Sequence, residues 1–328
     1  MPAPMDFRKV KIHLIVFESG TRRMVRDLLR SIGFEDVILG SEFEAVRIAI
    51  TENRPDLLIL GSSFPDGDVV ALIKDLRHNK LGKDPFLPVI TLTSEATEEL
   101  VGAVADSGSD DLLVYPLSAG HLLKRIEALV EKRKPFVVTR DYIGPDRRGV
   151  GSFKEGPMEV PLIDAPNALR ATVKGDMSRQ ELDAAIASTR NVVNSQRLDR
   201  SGYQIAWLIK RIIAGYSSGT GGLLEPKVAD FLDQLIEIGG ETTKRIAGTG
   251  FEHVSYLCET LISVSARMLA AGQDADEKDK ALLPELGNAF KTAFVVADDD
   301  NISMKIRDTL KKPPSKKSGS KKPGAADR

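Results

Sequence analysis

Short apolar runs alternate with helical patterns along residues 10–134. Five of these runs predict β-strands, at residues 10–16, 36–39, 56–60, 86–92 and 111–114. Several are apolar almost without interruption, which is typical of a parallel sheet covered on both faces. Apolar residues three and four positions apart predict helices between them, at residues 21–31, 43–52, 68–77, 96–107 and 119–131. This alternation predicts a doubly wound α/β sheet, whose ligands bind at the carboxyl ends of the strands.

The pattern changes after residue 133. Residues 134–177 are rich in Pro, Gly and charge, and we interpret them as a linker. Ser178 and Glu181 form a capping box that begins a helix. An all-α domain is predicted over residues 178–297, with helices at 179–196, 200–216, 225–247, 252–271 and near 280–296. The Lys-rich residues 298–328 are predicted to be a mostly disordered tail.

One predicted helix carries a regular apolar seam. Its members recur at alternating spacings of three and four: Val254, Leu257, Leu261, Val264 and Met268. Such a seam either closes a bundle within the chain or pairs two chains, so a homodimer through this seam is one hypothesis.

Composition narrows the function classes. Lys plus Arg (46) balances Asp plus Glu (47), so net charge gives no argument for nucleic acid as a partner. Cys258 is the only cysteine, and no metal-ligand spacing occurs. No apolar run approaches the ~20 residues of a membrane span. These observations predict a cytoplasmic protein without a membrane span, a metal or a cofactor.

Four motifs occur in a fixed order in the first 133 residues. They are PDLLIL at 55–60, FPDGD at 64–68, PVITLTS at 88–94 and GSDDLLVYP at 108–116. Together they resemble the receiver domains of two-component response regulators. The resemblance implies a flavodoxin-like, five-stranded parallel sheet and a role in bacterial phosphorelay signalling.

Receivers of this family hold Mg²⁺ with an acidic pair, accept a phosphoryl group on an aspartate, and bind its oxygens with a hydroxyl and a lysine. Aligned on the motifs, these roles fall on Phe17 and Glu18, on Gly61, on Thr93 and on Tyr115. Glycine has no nucleophile, so the resemblance implies a degenerate pseudo-receiver with no phosphoacceptor.

Neighbouring residues do not replace what is missing. Asp56 lies five residues before Gly61, at the wrong end of the strand, and Asp66 and Asp68 follow in the next loop. Leu112 falls at the position where receivers often carry an aromatic switch residue. We therefore predict no catalytic residue and no metal site here.

The helical region offers two further candidates. His253 invites a phosphotransfer role, but Val254, Ser255 and Tyr256 follow where such domains usually show a lysine and a small residue. Asp230 and Gln234 lie one helical turn apart, as in chemotaxis-type phosphatases, although such pairs are common on polar helix surfaces.

We therefore expect a protein that is not an enzyme: a signalling or adaptor protein that acts by contact with other signalling proteins. A homodimer through the receiver face at residues 96–131 is a further hypothesis. One alternative is a phosphatase or phosphotransfer module in the helical domain. A second is a nucleic-acid-binding regulator that uses the basic tail. The role of residues 141–148 (DYIGPDRR) is interpreted as docking of the linker.

Overall fold

The chain forms two compact units, Met1–Arg197 and Leu198–Arg328. A computed structural model describes residues 5–139, 141–147, 154–155, 158–159, 162–218, 226–247 and 251–293. The predicted tail, residues 298–328, lies outside the described residues.

A five-stranded parallel sheet forms the centre of the first unit. Its strands are β1 (Lys11–Ile15), β2 (Asp36–Gly40), β3 (Leu57–Gly61), β4 (Val89–Thr93) and β5 (Asp111–Val114). The spatial order is β2-β1-β3-β4-β5, with every neighbouring pair parallel. The predicted doubly wound sheet is confirmed. Strand β4 begins three residues later than predicted, because Phe86 to Pro88 form the approach to the strand.

Helices cover both faces of this sheet. They are α1 (Ser19–Ile32), α2 (Phe43–Ile48), α3 (Val69–Arg77), α4 (Glu98–Ser107) and α5 (Ala119–Glu131), and a π-helical turn, Ala49–Asn53, extends α2. Side chains alternate between the faces along each strand. Ile12 and Leu14 pack with α1 and α5, whereas Ile15 packs with α2 and α3.

The stretch that we interpreted as a linker is partly folded onto the first unit. Strands β6 (Phe136–Val138) and β7 (Ile143–Pro145) form an antiparallel hairpin. Residues 154–155 and 158–159 form a second pair, β8 and β9, and a short helix, α6 (Ala168–Lys174), follows. The compact unit therefore extends beyond residue 133, to Arg197.

Burial explains why this stretch folds. Phe136 is fully buried and meets the ring of Phe86 edge-on at 5.8 Å. Leu169 and Val173 of α6 join the core that lies beneath α1 and α5. The few apolar residues of this stretch are spread among many prolines, glycines and charges and gave no periodic signal, although Phe136, Leu169 and Val173 are buried; Leu162 and Met177 are each 40% exposed.

The second unit is helical. Its elements are the end of α7 (Arg179–Ser218), then α8 (Pro226–Ile246), α9 (Ser255–Ala271) and α10 (Glu277–Ala293). The capping box at the start of α7 is confirmed: the Ser178 amide donates to Glu181 at 2.7 Å and the Glu181 amide donates to the Ser178 hydroxyl at 3.3 Å. The two helices predicted at residues 179–196 and 200–216 are one helix, because neither Gly nor Pro interrupts residues 197–199.

The apolar seam closes the bundle within the chain. All five seam residues lie in the core of the second unit, where α7 contributes Ile205 and Leu208 and α10 contributes Leu283 and Phe290. The hypothesis of a homodimer through this seam is therefore wrong, because the seam has no surface left for a second chain. None of the described helices is long and apolar enough to cross a membrane.

Candidate functional site

The loops that follow β1, β3, β4 and β5 meet at one edge of the sheet. They bring together the five aligned positions, Phe17, Glu18, Gly61, Thr93 and Tyr115. The backbone ties the loops to neighbouring strands, since the Ser62 amide donates to Leu92 at 2.8 Å and the Tyr115 amide donates to Thr93 at 2.9 Å. The sheet thus positions these residues as a single site.

An arginine of α1 reaches back to the loop after β1, where residues 17 and 18 are aligned with the acidic pair of receivers. Phe17 is 50% exposed, and Glu18 is an exposed residue that precedes α1 without a side-chain capping bond. The guanidinium of Arg22 donates to the carbonyl oxygens of Val16 and Phe17. A fixed positive charge at this point opposes the binding of a metal cation by Coulomb repulsion.

Gly61 has room for a Cβ atom but offers no nucleophile. The residue is buried at the end of β3. A Cβ atom there would lie 3.5 Å from Cγ1 of Val16 and 3.9 Å from Cε2 of Phe64, which are ordinary contacts. The missing chemistry is therefore due to the residue type and not to crowding.

Thr93 and Tyr115 are both engaged by their own surroundings. The Thr93 hydroxyl donates to the carbonyl of Glu95 at 2.8 Å and accepts from its amide at 3.2 Å. Tyr115 is partly buried and packs against the sheet core, and Leu112 is also partly buried. Of the two aromatic residues, Tyr115 thus packs inward while Phe17 faces solvent on about half of its surface.

Other carboxylates near β3 have structural roles. Asp56, at the opposite end of the strand, accepts from the Lys11 amide at 2.9 Å and from Arg179 at 3.0 Å. Asp68 caps α3 by accepting from the Ala71 amide at 3.0 Å. Asp66 is exposed. Among the described residues, no cluster of three or more His, Cys, Asp or Glu side chains could hold a metal ion.

The amino end of the sheet contains a buried ionic network. The Arg77 side chain, at the end of α3, is fully buried and donates to Gly108, Pro85 and Leu87 carbonyls at 2.7–2.8 Å. Arg77 and Arg133 both pair with Asp110, at 3.0 and 2.8 Å. Burial lowers the pKa of Arg77 to about 10, although the negative charge of Asp110 acts to raise it.

The β6–β7 hairpin docks on this network. Both guanidinium groups lie over the ring of Phe136, Arg133 at 4.9 Å and Arg77 at 5.3 Å. Arg147 donates to the Ser109 carbonyl, and the Tyr142 hydroxyl donates to the Pro145 carbonyl at 2.8 Å. Residues 141–147 thus fold against the loop before β5, while Arg148 lies outside the described residues.

A cleft with an open volume of about 360 Å³ lies at this same end of the sheet. Arg54, Asp84 and Arg179 line its polar side, and Leu182 and Ile186 line its apolar side. Burial raises the pKa of Asp84. The hydrogen bond from the Phe86 amide and the positive charges of Arg133, Arg77 and Arg54 act to lower it, but burial has the larger effect. This cleft is remote from the carboxyl end that carries the aligned positions.

His13 is a buried histidine within β1. Its Nε2 atom has no hydrogen-bond partner. Burial lowers its pKa below the ordinary 6.5, and the charge of Lys11 adds to this effect while Asp36 opposes it. Between the lowered pKa of the folded chain and 6.5, the unfolded chain therefore binds a proton that the folded chain does not, so the free energy of unfolding falls as the pH decreases through this range.

We expect His13→Leu to reduce this pH dependence. Urea unfolding of wild type and variant at pH 7.5 and pH 5 measures it, because every other titrating group is common to both proteins. The wild-type free energy of unfolding should fall more than that of the variant. Equal slopes in the two proteins would contradict a neutral, buried His13.

The two candidates in the helical unit lie apart from the sheet residues along the chain. His253 lies in a 3₁₀ turn (Glu252–Val254) before α9, with its ring 6.3 Å from that of Phe251. On α8, Asp230 is exposed and Gln234 is partly buried. The phosphatase role of this pair stays a prediction.

Comparison with known proteins identifies the segment that contains most of the five-stranded sheet. Residues 17–127 match the family model of the response regulator receiver domain. This segment is a receiver domain. The chain is also similar to the transcriptional regulatory protein PrrA of Mycobacterium tuberculosis (28% identical over 230 residues, 68% of this chain and 87% of PrrA).

Two further relatives match the receiver domain. The phosphate regulon transcriptional regulatory protein PhoB of Rhizobium meliloti is 36% identical over 132 residues, which are 39% of this chain and 56% of PhoB. The solved structure of the chemotaxis protein CheY4 of Vibrio cholerae is 23% identical, with a TM-score of 0.32, over 36% of this chain and 96% of that chain.

The structure adds residues to the receiver domain that the sequence did not single out. Arg22 binds the end of β1 from within α1, and Arg77 is buried at the end of α3. Arginines at helix positions usually indicate a solvent-facing side. Arg77 is distinguished from a surface residue by its distant partner Asp110. Arg22 is distinguished by its bonds to the carbonyls of Val16 and Phe17.

Proposed function

We propose that this protein is a non-catalytic bacterial signalling protein whose receiver domain is not phosphorylated at the usual position. The observation that carries the proposal is Gly61, which ends β3 without a carboxylate although a Cβ atom there would make only ordinary contacts. Arg22 beside β1 and Tyr115 after β5 support it, because metal and phosphoryl binding require acids and a lysine there.

Protein contact is the mode of action that we propose. The surface formed by α4, β5 and α5 carries Val101 and Val114, each 40% exposed. Asp111 and Arg125 pair across it at 2.6 Å, which fixes one polar contact within the surface. Exposed aliphatic side chains beside a fixed charge pair suit the binding of another signalling protein.

The phosphorylation state gives the direct test. We expect no mass increase when the full chain is incubated with Mg²⁺ and acetyl phosphate and then analysed by intact mass spectrometry. The triple variant Phe17→Asp, Gly61→Asp, Tyr115→Lys restores one acid of the pair, the acceptor and the lysine. It should gain one phosphoryl group, because the sheet still positions all three side chains.

The single variant Gly61→Asp is the matched control. It has the acceptor but neither the restored acid nor the lysine, so it should gain far less phosphoryl group than the triple variant. A phosphoaspartate adduct on the wild-type chain would overturn the proposal.

Nucleic-acid binding is the second candidate function. PrrA and PhoB are named as transcriptional regulatory proteins, and the chain spans 87% of PrrA. The Lys-rich tail that would contact phosphates lies outside the described residues. Salt-sensitive retention of the chain on DNA, lost when the residues after Leu310 are removed, would favour this candidate.

We place the protein in the cytoplasm. Cys258 is buried in the helical core, and burial raises its pKa to about 11. Such a thiol is unreactive, and as the only cysteine of the chain it forms no disulfide within the chain, which suits a reducing compartment.

A further inference from the structure

Helix α7 exposes aromatic side chains on the side that faces away from its own core. Tyr203 and Trp207, one turn apart, are 50% and 51% exposed. The Arg211 guanidinium lies 5.2 Å from the centre of the Trp207 ring. With Arg200 these residues follow one face at spacings of three, four and four, and we call them the cationic stripe. The core side of the helix is formed by other residues, among them Ile205 and Leu208.

Helix α8 carries the opposite charge next to this stripe. Asp230, Asp233 and Glu237 are exposed and lie three and four residues apart, so they share one face and form what we call the acidic stripe. The Phe231 ring meets the Trp207 ring edge-on, with centres 6.0 Å apart. The two stripes therefore lie side by side on one surface of the helical unit.

The two stripes are opposite in charge and differ in length, with two arginines on one and three carboxylates on the other. Arg200 to Arg211 spans about 16 Å of helix, and Asp230 to Glu237 spans about 10 Å, at 1.5 Å per residue. A two-fold contact requires a surface that is complementary to itself. Here each copy offers both a cationic and an acidic stripe. A phosphate-rich partner fits less well, because the acids beside Trp207 would repel it.

We propose that α7 and α8 form a two-fold interface between two copies of this chain, with the cationic stripe of each copy on the acidic stripe of the other. The Tyr203 and Trp207 rings then lose their exposure to water at the centre of the interface, where aromatic anchors contribute most. This contact goes beyond the proposed function, because it uses neither the receiver pocket nor the α4-β5-α5 surface.

Trp207 is the only tryptophan of the chain, so its fluorescence reports on this surface alone. Sedimentation velocity of the full chain should show a monomer that becomes a dimer as the protein concentration rises. Over the same range the tryptophan emission should shift to shorter wavelengths, and acrylamide should quench it less. A chain that stays monomeric, or a dimer with unchanged tryptophan emission, would overturn the proposal.

Charge reversal tests the pairing of the stripes. Arg211→Glu and Asp233→Lys each place like charges across both contacts of the dimer, and each should weaken dimerisation by about tenfold or more. A mixture of the two variants should dimerise again. In the mixed dimer, Glu at position 211 meets Lys at position 233, and the other contact is wild type.

Lys291→Glu, an exposed change on α10, is the control and should leave the dimer unchanged. Circular dichroism confirms that the variants are folded, and both substituted side chains are exposed. Dimers that persist in both single variants, or a mixture that fails to recover, would refute the proposed pairing.

Discussion

Asp110→Asn is expected to lower the free energy of unfolding of the first unit by about 3–5 kcal/mol, because it leaves a buried charge without its counterion. The Arg77 side chain is fully buried and the Arg133 side chain is 6% exposed, so water cannot replace the lost carboxylate. Asn retains the shape of the side chain but replaces one accepting oxygen by an NH2 donor, so the loss measures the charge and the hydrogen bonds of Asp110 together. Chemical denaturation followed by circular dichroism gives the value, which is a large fraction of the ~5–15 kcal/mol of a typical domain.

Asp111→Asn is the matched control at the next position. Asp111 pairs with Arg125, whose side chain is 44% exposed, so solvent screens the pair and its loss should cost at most about 1 kcal/mol. Equal losses for the two variants would show that burial does not determine the effect.

Gly108→Ala is expected to undock the β6–β7 hairpin. Gly108 has φ +89°, where a side chain strains the backbone by about 1–3 kcal/mol. A Cβ there would also lie 2.5 Å from the Ile143 carbonyl oxygen, which is backbone and cannot rotate away. Hydrogen exchange by mass spectrometry should show faster exchange in residues 136–147, together with a lower midpoint of thermal unfolding.

Gly102→Ala, within the helix α4 that Gly108 follows, provides the control. Nothing lies within 4 Å of the added Cβ, and the helical backbone is compatible with alanine. This variant should be more stable than wild type by about 0.5–1 kcal/mol. Unchanged exchange of the hairpin in Gly108→Ala would contradict the close packing of Ile143 on this glycine.

The sheet could be predicted because its information is local. Uninterrupted apolar runs such as residues 57–60 are buried on both faces, and β5 begins and ends where predicted, at Asp111 and Val114. The hairpin could not be predicted, because Phe136 and Ile143 owe their burial to contacts with the distant Phe86 and Gly108. The spacing of apolar residues within the segment does not indicate contacts with residues so far away in the sequence.

The positions of the candidate site were predictable from the motifs, and the sheet brings all five to one edge. What the sequence left open was how each side chain lies. The Thr93 hydroxyl forms hydrogen bonds within its own loop, and Phe17 is half exposed. Arg22 donates to the carbonyl oxygens that follow β1. These orientations depend on which loop conformation is the most stable, and the spacing of motifs in the sequence does not encode that conformation.

The docked hairpin also changes where this protein can be divided. A fragment that ends at residue 133, just after α5, keeps all five strands of the sheet but loses Phe136, whose ring covers Phe86 and both guanidinium groups of the ionic network. Without that ring, water reaches Arg77 and Arg133 and an apolar surface opens beside Phe86. We therefore expect the smallest independent receiver of this chain to include the hairpin and α6, so that its length is set by the amino end of the sheet, opposite the five aligned positions.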